Sequence, residues 1–250
     1  MAARTDHDER AEADAGAETA APKRRGAGRL AMAVSILGEL LITAGLVLGL
    51  FVVYSLWWTN VVADRKADKQ GDKVRDNWAQ DKGGPGALDT KDGIGFLHVP
   101  SMKNGEVLVE KGTSTKVLND GVAGYYIDPV KATLPMTDKT GNFTLAAHRD
   151  GHGAKFHNID KIKKGDPIVF ETKDDWYVYK VFSILPETSK YNVKVLQSVP
   201  KQSGRTKPGH FITLTTCTPV YTSEYRYIVW GELERVQKVD SARTPPKELG

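Results

Sequence analysis

Hydrophobic and polar positions follow three different patterns along this chain. From Leu30 to Trp58 the run "LAMAVSILGELLITAGLVLGLFVVYSLWW" is apolar apart from Glu39. At about 1.5 Å per residue, a helix of this length crosses a hydrocarbon core of roughly 30 Å, so the pattern predicts a transmembrane helix over 30–58. From Thr59 to Gly93, Asp alternates with Lys and Arg, "GGPG" stands at Gly83 to Gly86, and no apolar period is sustained. That stretch reads as a solvated stalk, with room for some helix before Gly83. From Ile94 to Val236 the texture changes to short β-branched and aromatic runs, "FLHVP", "DPIVFET", "WYVYKVFSIL", "HFITLTTC" and "YRYIVWGEL", punctuated by Gly, Pro, Asn and Asp. Such runs predict strands, and "KKGDPIVF" and "TKDDWYVY" carry turn signals between them. Roughly 140 residues of this kind suffice to bury a core. With neither βαβ alternation nor a repeat, a mostly β barrel or sandwich is the expected class.

The ends of the apolar run decide between an anchor and a cleaved leader. Secretory signals have apolar regions of only about 7 to 15 residues and end at small residues. This run is longer and closes with Tyr54, Trp57 and Trp58, as an interfacial aromatic belt does. Lys23, Arg24, Arg25 and Arg29 precede it, while "DRKADK" after it is mixed in charge, which places the N-terminus in the cytoplasm and everything beyond Trp58 outside. Glu39 is unusual within such a span. It lies within about three turns of the cytoplasmic end, where it can be protonated or pair with a second helix, and no role is assigned to it.

Composition adds detail at the termini. The chain is 40% hydrophobic and 26% charged, ordinary values that conceal unlike segments. Its opening "MAARTDHDERAEADAGAETAAP" is rich in alanine and acid and has little to bury, so residues 1–29 are read as a disordered cytoplasmic tail. After the β domain, 94–236, residues 237–250 with "RTPPKELG" read as a loose tail.

Chemistry enters with Cys217, the single cysteine. An extracytoplasmic domain stapled by disulfides carries cysteines in even number, so a lone one is either inert or kept as a thiol. Cys217 follows the alternating run Phe211 to Thr216, and Pro219 ends the strand soon after it. A strand end is where sites are exposed. If the next strand, beginning near Tyr225, returns antiparallel, Arg226 comes to lie beside Cys217. A guanidinium there stabilises a thiolate, and its fork of donors can hold a carbonyl oxygen as charge develops. A base must come from elsewhere in the chain, and His148, after the alternating run Phe143 to Ala147, also stands at a strand end. His148, His152 and His157 with Cys217 admit a zinc reading, but their spacing is not that of a helix-borne metal site and no second cysteine exists. His98 and His210 are read as structural.

These motifs resemble the sortase family. "TLTTC", with an arginine nine residues on in "EYRYIVWGEL", is similar to its TLxTC strand and the following arginine strand. "GNFTLAAHR" resembles its histidine strand, and "FLHVPSM", "EKGTSTKVL", "GVAGYY" and "IKKGDPIVF" fall in the family's order, so the resemblance covers Ile94 to Leu233. "TLTTCTP" and the anchor look most like class E, although Ala147 stands where many members have glycine and Thr218 where class E members often have histidine.

The resemblance implies an eight-stranded β-barrel with short helices behind one N-terminal transmembrane helix. It implies a membrane-anchored transpeptidase that cleaves an LPxTG or LAxTG sorting signal of secreted proteins between Thr and Gly. The acyl group then passes to an amine of a lipid-linked peptidoglycan precursor. Cys217 would be the nucleophile, His148 the acid and base, Arg226 the oxyanion and substrate ligand, and Thr216 a substrate-orienting residue. No cofactor, metal or nucleic acid is implied. Tyr125 and Tyr126 lie in a segment that could flank the groove. Two other readings use the same residues: a thiol hydrolase whose acyl enzyme is resolved by water, and a catalytically silent, membrane-anchored β-barrel binding module.

Overall fold

A computed structural model of the protein describes residues 28–80 and 93–250. The tail expected to be disordered, apart from Gly28 and Arg29, and the turn at Gly83 to Gly86 lie outside the described residues. Helix α1, Arg29–Val53, has no buried residue, and its leucines, isoleucines and valines are exposed around its circumference. Among the described residues one helical stretch, beginning at Arg29, is long and apolar enough to cross a membrane. Through Leu48 this segment is a unit of its own, and Gly49–Gly250 forms a second.

The second unit is built on a closed barrel of eight strands: β1 (Gly95–His98), β2 (Glu106–Lys111), β3 (Ala123–Tyr125), β4 (Gly141–Ala146), β5 (Pro167–Glu171), β6 (Asp175–Ser189), β7 (His210–Thr218) and β8 (Tyr225–Lys238). Their order around the barrel is β1-β2-β3-β4-β7-β8-β6-β5. The mostly β, eight-stranded expectation is met. Closure leaves no unpaired strand edge. Alternate residues fill the interior: Phe143, Leu145, Ile212, Leu214, Tyr227 and Val229 all belong to the central core. The intervening positions of β8, Ile228 and Trp230, face outward into a smaller cluster with Val195 and Leu196. That cluster is covered by the β6–β7 connection, which the Trp230 indole pins by donating to the Val195 carbonyl at 3.1 Å. Two neighbouring pairs, β2/β3 and β4/β7, are parallel.

Two segments differ from their sequence reading. The expected stalk is, over Thr59–Ala79, helix α2, with Ala63, Ala67, Gly71 and Val74 buried. These positions recur at helical spacing along one stripe. They escape a hydropathy reading because three of the four are Ala or Gly, chosen for close approach rather than apolar bulk. At Gly71 an added Cβ would stand 3.2 Å from the Phe96 ring. The tail after Val236 is also held down. Strand β8 continues to Lys238, Arg235 pairs with Glu248 at 2.8 and 2.6 Å, and Leu249 packs near Val169, Trp176 and Val178.

Glu171 joins these additions to the barrel. Its buried carboxylate accepts from Arg75 of α2 at 3.0 and 3.1 Å and from Arg243 of the tail at 2.7 Å, and bonds His98 at 2.9 Å. His98, Glu106 and Glu171 have metal-ligand spacing, yet the Arg75 guanidinium already bridges the two carboxylates as their cation. Burial alone would raise the Glu171 pKa, but the bonds from His98, Arg75 and Arg243 outweigh it and hold the carboxyl at about 2. Because the folded value lies below the unfolded one, the associated stability is present above about pH 4.5 and is lost as pH falls toward 2. It amounts to about 3 kcal/mol. Thermal unfolding of the full chain in detergent, followed from pH 7 to pH 2, should therefore show Glu171→Gln less stable at neutral pH and converging on wild type in acid. Parallel curves across that range would contradict this role for Glu171.

Candidate active site

The β7–β8 ladder sets the first pair. Cys217 and Arg226 are direct antiparallel partners, one position from the end of the ladder. Interior positions are Ile212 and Leu214 on β7 and Tyr227 and Val229 on β8, so alternation turns both Cys217 and Arg226 to the outer face. Cys217 is a free, partly exposed thiol. The Arg226 guanidinium is folded onto its own loop, donating to the Ser223 carbonyl at 3.2 Å and the Tyr225 carbonyl at 2.9 Å. These exposed bonds are weak enough to exchange for a substrate carbonyl.

The β4–β7 ladder brings the histidine. These strands are parallel, with Ala146 opposite Thr215, and so end at the same rim of the barrel. His148, two residues beyond β4, thereby stands level with Cys217. Bonds on either side of His148 fix that register. Thr216 Oγ1 donates to the Ala147 carbonyl at 2.7 Å. Arg149 Nη1 donates to Thr218 Oγ1 at 2.9 Å and to the Cys217 carbonyl at 3.4 Å. The His148 ring bonds through Nε2 to Asn119 Oδ1 at 2.8 Å. With an amide oxygen accepting, Nε2 carries the proton and Nδ1 remains an acceptor. Burial lowers the His148 pKa and the nearby His152 lowers it further, against the opposing pull of Asp150. The imidazole is therefore neutral at pH 7, as a proton acceptor must be.

Three other residues complete the site, and sequence reasoning gave them no role. Arg149 is buried, bonds Asp160 at 3.2 Å, and lies over the Tyr227 ring. Its only signal was its place immediately after His148. Short helix α3, Thr115–Leu118, is capped by Ser114 and delivers Asn119 from its C-terminal end. Tyr126, in a segment already suspected of flanking the groove, bonds Thr215 through its hydroxyl at 3.0 Å. Beside Arg226 it lines a cavity of about 220 Å³ with Pro129, Tyr191, Val193 and Ile228.

Of the four predicted site residues, Arg226 lines that cavity and Cys217, His148 and Thr216 do not. Thr216 is buried, and its hydroxyl is engaged by the Ala147 carbonyl. Tyr125 is a core residue. The two departures from the motif have physical partners: Ala147 packs in the core, and Thr218 receives Arg149. Of the remaining histidines in this loop, His157 bonds the Arg149 carbonyl at 2.8 Å, and the His152 ring lies 5.5 Å from that of His148.

Comparison with known proteins shows the family. A sortase domain family profile matches residues 97–234, more than half of the chain. The chain belongs to the sortase family. It is 72% identical to sortase SrtE2 of Streptomyces coelicolor, with all of both chains covered. Among solved structures, sortase E1 of Streptomyces coelicolor is 47% identical with a TM-score of 0.59, covering 63% of this chain and 96% of that one. Sortase E from Streptomyces avermitilis is 29% identical with a TM-score of 0.55, covering 63% and 97%. The similarity to class E sortases spans the barrel and, in SrtE2 of Streptomyces coelicolor, the N-terminal segments too. This sortase is accordingly a cysteine transpeptidase.

Proposed function

We propose that this sortase cleaves an LAxTG- or LPxTG-type signal between Thr and Gly, with Cys217 as nucleophile, His148 as acid and base, and Arg226 as oxyanion ligand. The observation that supports the reading is the strand register that brings one free thiol, one imidazole with a lowered pKa and one arginine to a single barrel rim, with a cavity of about 220 Å³ beside Arg226. The solved sortase E1 of Streptomyces coelicolor holds a tripeptide in its active site, which supports placing a peptide there.

In the first half-reaction the Cys217 sulfur, its proton taken up by His148, attacks the threonine carbonyl carbon. Negative charge develops on the carbonyl oxygen, where the Arg226 fork, released from the Ser223 and Tyr225 carbonyls, can receive it. Collapse of the tetrahedral species breaks the Thr–Gly bond, and His148 returns a proton to the departing glycine amine. A thioester is left on Cys217. In the second half-reaction an acceptor amine attacks that thioester, His148 takes its proton, the Cys217 thiolate is released, and His148 returns the proton to it, restoring the free thiol and the neutral imidazole. Covalent catalysis thus divides one amide exchange into two easier steps. Thr216 would serve substrate orientation by clamping the strand end of His148 to that of Cys217; a direct substrate bond requires its hydroxyl to leave Ala147.

On this reading the acceptor is the amine of a lipid-linked peptidoglycan precursor. Helix α1 spans the membrane with its basic N-terminal flank in the cytoplasm and the barrel outside. An anchored enzyme, retained substrates and a lipid-linked acceptor share one surface, so tethering raises their effective concentration without new contacts.

The test is mass spectrometry of the full chain in detergent with an LAxTG peptide, an LPxTG peptide and diglycine. A product joining Thr to diglycine supports transfer; hydrolysis in its place favours the thiol hydrolase. In the same assay Arg226→Lys should lose at least about tenfold in kcat, since a single point charge does not reproduce the guanidinium fork. Wild-type rates would reduce Arg226 to general electrostatics.

A further inference from the structure

The first two turns of α2 lie against both segments that hold His148. On one side the Asn60 side-chain oxygen accepts from the Gly153 backbone N–H at 2.8 Å, and Asp64 pairs with Lys155 at 2.8 Å. Gly153 and Lys155 belong to the loop that leaves β4 through His148, and the Phe156 N–H closes that loop onto the His148 carbonyl at 3.0 Å. On the other side Lys66 pairs with Asp120 at 2.5 Å. Asp120 is the neighbour of Asn119, whose amide holds the His148 ring.

Two glycines show that this contact is fitted closely. At Gly121, φ is +76° and a Cβ would stand 2.8 Å from the Ala63 carbonyl oxygen; at Gly153, φ is +81° and a Cβ would stand 2.9 Å from Asp64 Oδ1. Both turns therefore need a left-handed residue with no side chain where α2 passes. The loop of Gly151 to Lys155 and the turn of Asn119 to Gly121 lie outside the barrel strands; the loop is also held by Asn104 Nδ2, which donates to the Lys155 carbonyl, and by buried Phe156.

We propose that Asn60, Asp64 and Lys66 of the membrane-proximal helix are positioning residues for His148, so that α2 is a structural part of the active site rather than a spacer. This rests on the reading of His148 as acid and base. The helix fixes the loop that carries the imidazole and the turn that orients its ring, and so sets how often Nδ1 faces the reacting thiol and amine. Loss of that geometry acts on the chemical steps, because a displacement on the order of 1 Å suffices to cost up to about 10²-fold. Peptide binding beside Arg226 involves other elements and is left intact.

The experiment is a charge exchange in the full chain in detergent, with steady-state transfer of a sorting peptide to diglycine. The variants are Asp64→Lys, Lys155→Asp and both together, with Lys66→Asp, Asp120→Lys and their combination as a second, independent cycle. Each single variant is expected to lower kcat roughly tenfold with KM changed less than about twofold, and each double variant to recover most of the loss. Unfolding midpoints of the single variants near wild type locate the effect in catalysis. Wild-type kcat in the single variants overturns the inference. So does a loss that both double variants fail to recover, or one that falls on KM. His148→Ala is run alongside: if it too retains activity, the acid and base reading of His148 has failed, whereas an inactive His148→Ala beside fully active α2 variants rejects the role of α2 alone.

Discussion

Cys217→Ala in the full chain should leave no measurable transfer of a sorting peptide to diglycine and no hydrolysis of that peptide. Both products require the acyl group to reside on Cys217, and no second cysteine exists to take its place. The fold should be indifferent to the change. Cys217 is partly exposed on the outer face of β7, no bond is made through its sulfur in the ladder, and Arg149 holds the Cys217 carbonyl, which alanine keeps. The free energy of unfolding should therefore stay within about 1 kcal/mol of wild type. An active variant would remove Cys217 from the mechanism, while an unfolded one would show that the thiol is needed for packing.

His148→Ala should be nearly as severe. General acid and base assistance contributes about 10² to 10⁴-fold per positioned group, and this imidazole serves both half-reactions. Of the two other histidines in this loop, His157 is held by the Arg149 carbonyl, and His152 sits at a left-handed backbone position, φ +46°, with its ring 5.5 Å from that of His148. Transfer should fall by at least about 10²-fold, with Cys217 still reactive toward an alkylating reagent, as read by intact mass. Normal transpeptidation by this variant would assign proton transfer to another group.

How much of this was legible in the sequence depends on the reach of each interaction. Cys217 beside Arg226 could be inferred, because a short loop joins two β-prone runs and an antiparallel return is the default for such a connection. The strands with strong β-branched and aromatic runs, β5, β6, β7 and β8, were legible for the same local reason. The meeting of His148 with Cys217 was not derivable by counting. It depends on the parallel pairing of β4 with β7, two strands separated by the whole of β5 and β6, and only the motif order pointed to it.

The stripe of α2 was invisible because Ala63, Ala67 and Gly71 bury little apolar area and sit among alternating charges, several of which turn out to be pair partners of the barrel. Arg149, an arginine directly after a candidate base, reads as a solvent-facing charge until the structure shows it buried between Thr218, Asp160 and Tyr227. The tail was misjudged for a related reason. Its prolines and charges signal a loop, and a loop can still be fastened, here by Arg243 to Glu171 and Glu248 to Arg235.

The proposed mechanism passes through one covalent species, an acyl group carried from the sorting signal on the thiol of Cys217. Intact-mass measurement of the full chain, incubated with a sorting peptide and no amine and quenched in acid during turnover, tests it directly. The predicted result is an added mass equal to the peptide through its threonine, mapped to Cys217 by digestion and discharged by diglycine. Turnover of the peptide with no adduct on Cys217, or with the adduct on another residue, would contradict it.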